Sequence, residues 1–145
     1  MTPPDSPRHQ VGLTQDAGFQ IGVSRTLHQP PDHVWQFLTG PEGVALWLGA
    51  GAELRPERGS PYTTDDGTTG EIRSYHEGTR LRLTRRPAGR PRDTIVQVTV
   101  TPTAGGTVLR FHQERLADPA EREDRRRHWK AVMAAVVTAL GPAPA

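Results

Sequence analysis

The end of the chain constrains the fold most. Asp118-Pro119-Ala120-Glu121 is followed by Trp129, Met133, Val136 and Leu140. Asp118 can cap a helix, Pro119 suits its first turn, and Glu121 stands three after the cap, as a capping box requires. The four apolar residues recur at helical spacing and form one stripe, and Gly141-Pro142 ends the run. This is the only long helix the sequence offers, so the strands before it need it as a cover. A long helix laid on a curved sheet leaves a space beneath it, and the contents of that space are the functional question.

The strands are legible one at a time. Phe19, Ile21, Val23 and Leu27 alternate with polar or small residues and predict a half-buried first strand. Pro30-Pro31-Asp32 starts a short helix with Val34, Trp35 and Leu38 on its apolar face, and a second runs from Pro41 to Trp47. A meander follows. Asp66-Gly67 marks a hairpin, Gly70 to His76 a strand, Glu77-Gly78 a turn, and Arg80 to Arg85 the next strand. Pro87 to Asp93 reads as a polar loop. Thr94 to Thr101 is a β-branched strand, Ala104-Gly105-Gly106 a turn, and Thr107 to Arg115 the last strand. Residues 1–17 show no periodicity and read as a flexible N-terminal arm, residues 18–141 as one domain, and 142–145 as a flexible tail.

This order, carried by Val23-Ser-Arg-Thr-Leu27, Pro31-Asp-His-Val-Trp35, Leu38-Thr-Gly-Pro-Glu42, Trp47, Asp66-Gly67, Gly70-Glu71-Ile72, Arg80-Leu81, Pro102, Gly105-Gly106-Thr107 and Trp129, resembles the SRPBCC (START/Bet v 1-like) superfamily. It is most similar to the branch named after the C-terminal domain of the Hsp90 ATPase activator Aha1. The resemblance covers about residues 19 to 140. It implies an α+β helix-grip fold: a curved antiparallel sheet, two short helices, and a long C-terminal helix over the concave face. It also implies a cavity between sheet and helix for hydrophobic or amphipathic ligands. Relatives include lipid and hormone binders, polyketide cyclases, stress-response regulators and proteins that sequester enediyne antibiotics. Where many relatives carry an aromatic after the Leu81 strand, this chain has Arg85-Arg86, and Gln113 stands about where many have His.

Trp35, Trp47, Tyr62, Tyr75, Phe111, Gln113, Trp129 and Met133 are the expected ligand-binding set. Aromatic side chains with polar tips bury an apolar body and orient its polar groups. Trp35 and Met133 read more readily as core than as ligand contacts, and Trp47, which reads equally as either, stands where a cavity mouth would be, with the segment from Trp47 to Ser60 as a gate. On the last strand Leu109, Phe111 and Gln113 share one face, aimed at the long helix, and His112 and Glu114 point outward.

Several chemistries find no support. The 145 residues contain no Cys, which removes disulfides, thiolate catalysis and Cys-ligated metal. His28, His33, His76, His112 and His128 show no metal-ligand spacing, and no Ser sits in a nucleophile elbow. No cofactor, metal or catalytic residue is therefore expected. With 18 basic against 16 acidic residues the net charge is only +2, which gives little general attraction to nucleic acid. Arg125-Arg126-Arg127 looks basic, but Glu121 stands four before Arg125 and Glu123 four before Arg127, so the run reads as paired on an exposed helix face. Arg85, Arg86, Arg90 and Arg92 form the less compensated patch, able to meet an anionic ligand or partner.

The expected protein is a cytoplasmic monomer or homodimer without a membrane span, not an enzyme. It would bind a small hydrophobic, lipid- or polyketide-like molecule, with sequestration or self-resistance to a natural product as the sharper form. The alternatives are a cyclase or aromatase and a chaperone-related interaction module. An Hsp90-type partner is not expected, since this chain lacks the additional N-terminal domain of the eukaryotic co-chaperone.

Overall fold

The computed structural model describes residues 13–14 and 18–142. The elements run β1 (Leu13–Thr14), β2 (Gly18–Leu27), α1 (Pro31–Thr39), α2 (Pro41–Trp47), β3 (Pro61–Thr63) and β4 (Thr69–His76). They continue with β5 (Arg80–Arg85), β6 (Thr94–Thr103), β7 (Gly106–Leu116) and α3 (Pro119–Leu140). The strands form a curved antiparallel sheet in the order β1-β2-β7-β6-β5-β4-β3, so the first strand of the domain lies beside the last. This is the helix-grip arrangement expected from the sequence. Within the stretch read as an arm, β1 pairs Leu13 with Phe19 and Thr14 with Gly18, and the rest of 1–17 lies outside the described residues. So does the tail beyond residue 142.

Alternation places the core. Leu81 and Leu83 of β5, Val96 and Val98 of β6, and Leu109 and Phe111 of β7 are all buried on the face that α3 covers, because side chains of a strand point alternately to opposite faces. From α3, Trp129, Val132, Met133 and Val136 are buried, and Leu140 is half-buried. Val132 joins the stripe because a globular helix buries a face wider than a single seam.

The start of α3 departs from the expected capping box in one respect. The Asp118 carboxylate accepts from the Glu121 N–H at 2.8 Å, as foreseen. The Glu121 carboxylate, however, accepts from the N–H of Ala117 at 2.7 Å, one residue before the cap. At the other end Gly141 turns out at φ +82° and donates to the carbonyls of Val137 and Thr138. Buried Gln29 ties that end to the sheet: its amide donates to Gly141 O at 2.8 Å, and its carbonyl accepts from the Thr107 hydroxyl at 2.7 Å.

The two short helices meet at Gly40, which ends α1 and precedes α2. They pack so closely that a Cβ at Gly43 would stand 2.0 Å from Phe37 O, which leaves glycine as the residue that fits. No helix among the described residues is long and apolar enough to cross a membrane.

Candidate functional site

The eight residues expected to contact ligand do not form one lining. Trp35 meets Tyr75 edge-on at 5.7 Å, the first buried and the second half-buried. Trp47 is buried and donates its indole N–H to Leu38 O at 2.9 Å, which fastens α2 to α1. Tyr62 is buried against Gly70 and donates to Thr84 O at 2.7 Å, and burial pushes its phenol above the ordinary range. It also borders an open cleft of about 570 Å³ with Glu53, Arg55 and Glu57. Met133 is buried in the core. Phe111, Gln113 and Trp129 come together under α3.

That last group is held by a continuous polar relay. The ring of Trp129 stacks on Phe111 at 4.9 Å, with 18° between planes. Gln113 is fully buried, and both ends of its amide are engaged. Its Oε1 accepts from Trp129 Nε1 and from Arg125 Nε, each at 2.9 Å. Its Nε2 donates to Thr94 Oγ1 at 2.8 Å, and the Thr94 hydroxyl donates in turn to Arg85 O at 3.3 Å. Arg125 lies over the Trp129 ring, its guanidinium carbon 5.6 Å from the centroid, in the range of a cation–π contact. The first turns of α3, the start of β6 and the end of β5 are thus joined through one glutamine.

Arg125 corrects the sequence reading. It does not pair with Glu121 on an exposed face: it is half-buried and donates to Gln113 of the sheet. The exposed ion pairs of this helix are Arg126 with Glu123 and Arg127 with Asp124, both three residues apart. Arg125 Nη2 is buried without a hydrogen-bond partner. Burial pushes its guanidinium down to about 10, and the charge of nearby Arg85 adds to the depression. Burial likewise lowers Arg85, opposed by Tyr62 and deepened by Arg90. His128 meets the Trp129 edge at 4.8 Å, with its Nε2 buried and unpartnered. Burial, then Arg125 and Arg85, hold it down to about 4, so it is neutral at neutral pH.

A cleft of about 780 Å³ opens over this cluster, between the β5–β6 loop, the end of β7 and the start of α3. Arg85, Arg90, Arg92, Arg115 and Arg125 line it. Arg115 owes its place to a bulge. Between the pairs Phe19–Leu116 and Ile21–Gln113, two residues of β7 stand opposite one of β2. Arg115 takes φ +68°, the left-handed region that side chains other than glycine seldom occupy. The bulge resets the alternation, so that Leu116 turns into the core and Arg115 remains exposed at the cleft.

The carboxylates of the cleft are engaged elsewhere. Asp118 caps α3, Glu121 accepts from Ala117 N–H, and Asp124 pairs with Arg127. Among the described residues none of the five arginines forms an ion pair, whereas Arg86, from the same loop, is paired with Asp93 at 3.0 Å. The basic loop was visible in the sequence. Arg115, Thr94 and the inward turn of Arg125 were not, although carrying the apolar stripe one turn back from Trp129 lands on Arg125.

Comparison with known proteins places the chain. The family profile described as "Activator of Hsp90 ATPase homolog 1-like protein" matches residues 28–141. No curated protein matches. Among solved structures, a Mesorhizobium loti protein is 25% identical over 83% of this chain and 96% of its own, with a TM-score of 0.69. DynU16, a protein of the dynemicin biosynthetic locus, is 21% identical, with a TM-score of 0.72 over 83% of this chain and 46% of its own. An Hsp90 activator from Plasmodium falciparum is 14% identical, with a TM-score of 0.70 over 84% of this chain and 96% of its own. The latter two likenesses carry the fold alone.

Proposed function

The chain belongs to the Activator of Hsp90 ATPase homolog 1-like family of the SRPBCC superfamily, and from that we propose that it is a non-catalytic binding protein for a small amphipathic molecule. The binding region is the cleft between the sheet and the first half of α3, within a domain of residues 18–141. The observation that carries this reading is the cleft itself, about 780 Å³ and in the size range of small-molecule sites. Pro87, Pro91, Ala117 and Ala120 offer it apolar surface beside the arginines. Phe111, Gln113 and Trp129 do not line it but lie behind Arg125 and Thr94, which do, and Trp35, Trp47, Tyr62, Tyr75 and Met133 serve the packing of the domain.

Binding, not ring closure, suits the residues present. The cleft carboxylates serve backbone amides or Arg127, and none is set apart as a general base. Sequestration of a natural product is the sharper form of the proposal, and the cytoplasm its setting.

Trp129 supplies the readout, because it lies directly behind Arg125. Titration with a panel of fatty acids and aromatic polyketides should change tryptophan fluorescence saturably. Amide shifts in a labelled sample should map to residues 85–94 and 115–125. Absence of saturable binding across the panel, or shifts confined to the Tyr62 cleft, would sink the proposal.

A further inference from the structure

We propose that the ligand carries an acidic head group, carboxylate or phosphate, which docks among Arg85, Arg115 and Arg125. This rests on the reading of the cleft as the binding site and names the class of molecule that fits it.

Separate stretches of chain deliver these cations to one place: the end of β5, the bulge of β7 and the second turn of α3. Arginines that merely solubilise a surface point apart or take nearby carboxylates, as Arg86, Arg126 and Arg127 do. Here Asp118, Glu121 and Asp124 stand in the same lining, and the last two offset the charge at longer range, but among the described residues none forms a direct ion pair with Arg85, Arg115 or Arg125. Gathering like charges in a partly buried place costs free energy, and the arrangement becomes favourable when an anion enters.

Arg125 is oriented for that role. Gln113 holds it by Nε, which fixes the plane of the guanidinium and leaves its far edge to a ligand. Nη2 is buried with the Nε edge, so an anionic oxygen would meet the guanidinium from the cleft side, where Arg125 lines the space. The left-handed backbone of Arg115 points the same way. Glycine would sit there without strain, yet the position carries a cation aimed at the cleft. Gln113 is then a positioning residue, not one that touches the ligand.

The test uses the whole chain and three matched probes: octanoate, octyl phosphate and octanol. Calorimetry should show at least one acid binding at least ten-fold tighter than octanol, and the preferred acid distinguishes carboxylate from phosphate. Raising NaCl should weaken the acid and leave octanol alone. Arg115→Gly relieves the left-handed residue, so it should fold at least as well as the native chain, yet bind the acid several-fold more weakly. Gln113→Glu places a fixed carboxylate against Arg125 and should weaken the acid while sparing octanol. Equal binding of the three probes would overturn the acidic head group and leave the amphipathic-ligand reading standing. Acid binding unchanged by both variants would overturn the location. Failure of every probe to bind would overturn both readings.

Discussion

Gln113 places one carbonyl oxygen between two donors that have no other acceptor, Arg125 Nε and Trp129 Nε1. Replacing it by Leu preserves volume but strands both donors and takes from the Thr94 hydroxyl the bond it accepts, leaving only its donation to Arg85 O. Loss of one partner from a buried polar group costs more than the bond is worth, and more when a charge is involved. Gln113→Leu should therefore destabilise by about 2–4 kcal/mol in urea unfolding. A cost below ~1 kcal/mol would mean that the relay is not tight.

His128 sets a pH dependence at the same scale. Its folded value, about 4, lies below the ordinary 6.5, so the folded state prefers the neutral ring. The resulting stability is complete above about pH 6.5 and is lost as pH falls toward 4. Arg125 and Arg85 deepen the effect, Asp124 opposes it, and half-buried His112 is lowered in the same direction. His128→Phe removes this titration. Its melting temperature should fall less than the native chain's between pH 7 and pH 4.5. An identical fall would mean that the ring is solvated in the folded state.

Among elements, α3 was the most legible. Its cap, first-turn proline, stripe and terminal glycine are local signals, read within a few residues of one another. The cap bond predicts that Asp118→Ala costs about 1 kcal/mol, measurable by thermal melting, and that Asp118→Asn costs less. The strands were legible for a similar reason: alternation assigned Leu109, Phe111 and Gln113 to the inner face of β7 from sequence alone. The bulge at Arg115 was not. It comes from a mismatch in pairing between β7 and β2, strands far apart in the chain, and neither carries a glycine at the bulged position to announce it.

For the whole molecule, the proposed occupancy of the cleft would make stability depend on ligand. A molecule that binds only the folded state at a hundred times its Kd adds about 2.7 kcal/mol, a rise of several degrees in Tm for a domain of this size. Octanoate or octyl phosphate should produce that rise at low salt, and added NaCl should shrink it. A Tm indifferent to every probe would remove the cleft from consideration as a binding site.

Sequence alone settled what short-range chemistry settles: the five longer strands and three helices in their order, most of their turns, and the side of a strand that turns inward, while the short β1 and β3 went unread. Family resemblance then named the fold. Tertiary structure decided which charges meet. Arg85, Arg115 and Arg125 come from three elements and gather only once β7 lies beside β6 and α3 folds back across them. The interior location of Arg125 was likewise a tertiary outcome, since Glu121 offered it a local partner and Gln113, twelve residues away, held it instead. Periodicity records which face of an element is buried. It cannot record what stands on the other side, and at this site the facing residues determine the chemistry.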